Sequence, residues 1–136
     1  MTQYFQQLEH SLNSLRAHYR ARKEATAAVR TMLAVADAQA ATCAQNVAKI
    51  RADARQGVEI GVAEIIEAHR ASGIAHAEAD GLRAKLDHVH AAEVEALENM
   101  QRAADNLFRE VEAMVLMEST KPEIDDIGPV WDSLNA

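Results

Sequence analysis

Fourteen positions spaced alternately by three and four residues run from Phe5 to Ile50: Phe5, Leu8, Leu12, Leu15, Tyr19, Arg22, Thr26, Val29, Leu33, Ala36, Ala40, Cys43, Val47 and Ile50. Only Arg22 and Thr26 in this series are clearly polar, and no Gly or Pro interrupts it. Apolar residues sustained at 3-4 spacing form the seam of a left-handed coiled coil. One long helix with an apolar stripe cannot stay wet along that stripe, so the chain must supply or recruit a second helix. The first half of the seam carries large side chains. From Ala36 to Cys43 it carries small ones, where a partner helix can approach more closely.

After Ile50 the phase slips. Val58, Val62, Ile65, Ile66 and His69 follow with Gly57 and Gly61 among them, which reads as a stutter, a bend or a turn. A second periodic run follows, with Leu82, Leu86, Val89, Val94, Leu97, Met100, Ala104, Leu107, Val111 and Met114. The expected fold is all-α: a long antiparallel helical hairpin over residues 1–120, followed by a short irregular acidic tail, 121–136. Ala71-Ser72-Gly73 has turn chemistry, which favours reversal near residues 72–73. The alternative reversal, at 57–61, gives matched arms but uses Val58 and Ile60, which are poor turn residues. The second helix is expected to stop near Ser119-Thr120, because Pro122 disfavours helix in the residue before it.

Composition supports few, long elements. The 136 residues include 28 alanines, the best helix former, against five Gly and two Pro, and only 4 % are aromatic. The tail differs: PEIDDIGPVWDSLNA holds both prolines and the only Trp. Ile127, Val130, Trp131 and Leu134 are its candidate docking residues, with Trp131 as an aromatic anchor or as a cap on the protein's own helices. With the turn at 72–73, Phe5, Leu8, Leu12, Leu15 and Tyr19 overhang the second helix and become a candidate interface with another chain.

Few residues suggest catalysis. Asp87 and His90 stand three residues apart, but no Glu-x-x-His occurs, so neither a metal nor a cofactor is expected. Glu59, Glu64, Glu67, Glu93, Glu95 and Glu98 read as a solvated face, and Cys43 as a small seam hydrophobe. No phosphate-binding Gly loop or nucleophile elbow appears. The net charge of -7 disfavours nucleic acid. Arg16, Arg20, Arg22 and Lys23 nevertheless form a basic segment able to meet an anion. The lone cysteine and a start without a leader pattern suit a reducing cytoplasm, and no run is long and apolar enough to span a membrane.

An Ala-rich helical hairpin also outlines secretion-system stalks and chaperones, granule-coating phasins and virion assembly proteins, a similarity of composition and period carried by no motif. The expected role is therefore non-enzymatic. The chain is read as an assembly, adaptor or structural protein that forms a homo-oligomer and docks at least one other protein through its tail. A nucleic-acid- or membrane-surface-binding role through residues 16–23 is the alternative.

Overall fold

Two long helices account for the chain: α1, Thr2–Arg55, and α2, Val62–Asn135. The computed structural model describes the backbone of residues 2–135 and the side chains of residues 2–119. The helices pack antiparallel as a hairpin, and there is no strand among the described residues.

The reversal lies at residues 56–61, not at Ser72-Gly73. Gly57 has φ of 88°, a left-handed conformation that a side chain would strain. The Val58 amide donates to the Asp53 carbonyl at 3.0 Å, and the Gly57 amide to the Ala54 carbonyl at 3.2 Å. These two bonds form a Schellman motif, which satisfies the last carbonyls of α1. Gly61 then caps α2, its carbonyl accepting from the Ile65 amide at 3.3 Å. Ile60 and Ile65 occupy the positions of a hydrophobic staple, and Glu64 supplies negative charge to the first turn. Ser72 and Gly73 lie inside α2 instead. Gly73 has open space around it, so it costs the helix only about 1 kcal/mol relative to Ala.

The second helix also passes the stop expected at Ser119-Thr120, and residues 121–135 have helical rather than irregular backbone. The sequence offers a reason: Ile124, Ile127, Trp131 and Leu134 recur at helical spacing through the two prolines.

Within residues 20–95 the two helices meet in one register. The Thr26 hydroxyl lies 3.4 Å from the Val89 carbonyl oxygen across the two helices. Within that unit, stepping outward by three and four pairs each seam position of α1 with the position of α2 that brings the two numbers to 115, and Val47, Ile50, Ile65 and Ala68 line one groove accordingly. The resulting layers include Val47 with Ala68, Ala40 with Ala75, Ala36 with Ala79, Leu33 with Leu82, Val29 with Leu86 and Arg22 with Glu93. Burial follows the same rows. Among the described residues, Val29, Ala36, Ala40, Ala68, Ala75, Ala79 and Ala96 are the buried apolar ones. Six of these seven are alanine, so the helices come together by close approach of small side chains.

Two compact units divide the hairpin: residues 1–19 with 96–136, and residues 20–95. The division falls beside the Arg22/Glu93 layer, where both seam positions are charged. In the second unit, Thr26 is 1 % exposed and its hydroxyl donates to the Arg22 carbonyl at 3.0 Å. Asp37 and Arg83 bridge the two helices at 2.5 Å, and Asp80 holds the same guanidinium at 2.8 Å. All three groups are well exposed, so these ion pairs add little beyond alignment.

Candidate interaction surfaces

The first unit carries an apolar groove at the open end of the hairpin. Phe5 and Glu9 of α1 and Leu107, Phe108 and Val111 of α2 enclose about 310 Å³ there. Phe108 is 80 % exposed. Its place in the heptad explains this: it stands one residue past the seam position Leu107, on the flank of the hairpin. The rings of Tyr4 and Phe5 are tilted at 55° to each other, with centroids 5.7 Å apart.

Phe5, Leu8, Leu12, Leu15 and Tyr19 are half-buried and occupy the internal seam. The overhang that made them an obligatory interface depended on a turn at 72–73. With the reversal at 56–61, α2 lies alongside them, and that argument no longer holds.

The second unit carries a groove near the turn, lined by Val47, Ile50, Arg51, Ile65, Ala68 and His69 among others, with a volume of about 420 Å³. Val58, Val62 and Ile66 are exposed close by in the sequence. On the opposite flank, Met32 and Val35 line a shallower depression with Gln39, Glu78 and Leu82.

Arg16, Arg20, Arg22 and Lys23 are all exposed, and none is paired with a carboxylate among the described residues. Arg16, Arg20, Lys23 and the further Arg30 share one flank of α1 by their spacing, with Glu24 one turn beyond Arg20 at its edge. Ile127, Val130, Trp131 and Leu134 lie outside the residues whose side chains are described.

The histidine pair singled out by spacing is not the one that forms. His90 approaches Glu93 rather than Asp87, with Nδ1 to Oε2 at 3.5 Å. Glu93 occupies a seam position, its side chain is 15 % exposed, and beyond the His90 approach its Oε2 has no hydrogen-bond partner among the described residues. Sequence reading places Glu93 on a solvated face with the other glutamates, wrongly, because the second periodic run is traced only through apolar residues. His76 Nδ1 lies 2.7 Å from the Ser72 carbonyl oxygen, which accepts its proton in that tautomer. Cys43 is a half-buried free thiol to which the Gln39 amide donates at 3.9 Å. No group of three or more His, Cys, Asp or Glu among the described residues is arranged to hold a metal ion. No helix among them is long and apolar enough to cross a membrane.

A scan against protein-family models and searches of curated proteins and solved structures find no match to this chain.

Proposed function

We propose that this chain is a non-enzymatic assembly or adaptor protein that acts by presenting the flanks of a helical hairpin to other protein chains, itself among them. The observation that carries this reading is the apolar surface left over once the internal seam is closed. Phe108, Val62, Val35 and Ile74 are 80 %, 72 %, 67 % and 64 % exposed. Scattered single residues of this kind are normal on a surface. Here Phe108 sits in a groove with Val111, and Val35 shares a depression with Met32, so the exposure is organised into patches.

The rival reading uses the exposed basic flank Arg16, Arg20 and Lys23 to hold nucleic acid or an anionic membrane surface. Solution mass at two salt concentrations separates the two. A concentration-dependent oligomer that persists from 50 to 300 mM salt supports assembly through packing. A monomer whose retention on DNA or anionic vesicles is lost over the same range supports the rival, because charge-driven contacts are screened.

A further inference from the structure

Beside the turn, Val47, Ile50, Ile65 and Ala68 give the groove of about 420 Å³ its apolar floor, and Arg51, Arg55 and His69 are its polar lining. No carboxylate lines it. Arg51 and Arg55 take no ion pair among the described residues. Glu64 and Glu67 are close in the sequence, but both are exposed and neither lines the groove. The whole groove lies within one compact unit. We propose that it docks an amphipathic helix of another protein, one whose apolar stripe is flanked by Asp or Glu. This rests on the adaptor reading above and names the partner's chemistry and its seat.

The shape selects a helix over a small ligand. Sites for small molecules enclose most of the ligand's surface. This groove is open and runs between two antiparallel helices, which is the seat a third helix takes in a bundle. Its lining on α1 spans Val47 to Arg55, about 12 Å at 1.5 Å per residue, so the docked stretch is about two turns long. On α2, Val62, Ile65 and His69 follow one another by three and four residues, a heptad row. Val62 and Ile65 are exposed, so this row has apolar surface to give the incoming helix.

Charge selects an acidic partner. Arg51 and Arg55 stand one turn apart on α1, so both meet the same flank of a helix laid in the groove, and His69 meets the other flank from α2. Acids on those flanks neutralise cations that this chain leaves without a carboxylate. A broad anionic surface fits less well. Residues 47–70 carry Lys49, Arg51, Arg55 and Arg70 against Asp53, Glu59, Glu64 and Glu67, so this stretch has no net positive charge to draw a membrane or nucleic acid. The excess of one sign is confined to the groove lining.

The test titrates the full chain into two labelled synthetic helical peptides, each with Leu along one stripe, flanked by Glu in one and by Lys in the other. Fluorescence anisotropy reads Kd. The Glu peptide should bind about ten-fold tighter than its Lys twin, since the rim pairs contribute together. Arg51→Glu with Arg55→Glu should weaken the Glu peptide about ten- to thirty-fold and reverse the preference. The milder pair, Arg51→Gln with Arg55→Gln, should shrink the preference to about three-fold or less. Both positions are exposed, and an unchanged helical melt checks the fold of each variant. Equal binding of the two peptides, or Glu-peptide binding that the double reversal leaves intact, overturns the proposal. So does retention on anionic vesicles that the reversal abolishes while the peptides go undiscriminated, which gives the groove to a membrane. Solution mass of the chain alone tests the assembly reading separately. A salt-stable oligomer that binds neither peptide overturns the groove's assignment and leaves that reading standing. If the double reversal dissolves the oligomer, a second copy fills the groove and the foreign helix is overturned. A monomer that binds neither peptide overturns both.

Discussion

Replacing Ala79 with Leu tests whether the helices touch through their alanines. Ala79 is 2 % exposed and faces Ala36 in the layer next to Ala40 and Ala75. Leu adds three carbons at this point. With room for them, burial would stabilise the hairpin by about 2.4 kcal/mol, at about 0.8 kcal/mol per carbon. Without room, overpacking costs about 1–3 kcal/mol. Four small side chains in adjacent layers imply backbones too close for a Leu, so the second outcome is expected. Ala77→Leu, two residues away on the exposed face, is the control: it makes the same chemical change with nearly the same helix propensity. Thermal unfolding followed by circular dichroism should show Ala79→Leu melting about 5–10 °C below wild type, and Ala77→Leu within about 2 °C of it. An Ala79→Leu chain as stable as wild type would refute the close-approach reasoning and the register that places Ala36 opposite.

Glu93→Leu should raise stability by about 1–3 kcal/mol, because it removes a buried carboxylate oxygen that has no hydrogen-bond partner among the described residues; urea unfolding checks this, and a loss of stability would mean that Glu93 has a partner in solution. The glycines should divide by conformation. Gly57→Ala should destabilise by about 1–2 kcal/mol, since φ there is 88°, whereas Gly73→Ala should stabilise by about 1 kcal/mol in open helical space. The reverse order in melting temperature would return the turn to residues 72–73. Deleting residues 122–136 should leave the 2–119 hairpin helical and abolish binding to a tail-dependent partner, with Trp131→Ala as the finer probe; unfolding of the truncated chain would make the tail structural.

The α1 seam could be read directly from the sequence because its positions are mostly large and apolar and its spacing is strict; all of them but Arg22 are buried or half-buried. The α2 seam was legible only where it is large. Leu82, Leu86, Val89, Met100 and Leu107 lie on it, but Ala68, Ala75, Ala79, Ala96 and Ala103 are also seam residues. In a chain rich in alanine these do not stand out, because alanine is as much at home on the solvent face. The turn was misplaced for a related reason. Ser-Gly has the composition of a turn, yet Ser72 is merely small enough for its seam layer opposite Cys43. The true signal was positional: a glycine able to adopt φ > 0 at 57, a second at 61 able to cap, and Ile60 and Ile65 placed to staple the start of α2. Arms of similar length favour that site on grounds of burial rather than local chemistry, although α2 is the longer helix, 74 residues against 54.

An alanine seam has a weakness that the charged layer answers. Ala36/Ala79 and Ala40/Ala75 are alike, and a slip of seven residues that sets Ala36 against Ser72 and Ala40 against Ala68 still puts small on small there, whereas the opposite slip sets them against Leu86 and Leu82. The turn resists such a slip, but a loop of six residues is a soft restraint. The Arg22/Glu93 layer is not interchangeable. A slip of seven residues in one direction sets Arg22 against Leu86 and Glu93 against Leu15; in the other direction it sets Arg22 against Met100 and Glu93 against Val29. Either slip drives a charge against an apolar side chain, which costs more than the native layer does. Polar residues at seam positions specify register at the expense of stability in coiled coils generally. The same logic ties the buried oxygen of Glu93 to its prediction: Glu93→Leu should melt higher than wild type while holding its register less firmly. Faster hydrogen exchange at the amides of residues 68–79, relative to the gain in global stability, would reveal that loosening. Exchange that slows in step with the melting temperature would show that the turn alone sets the register.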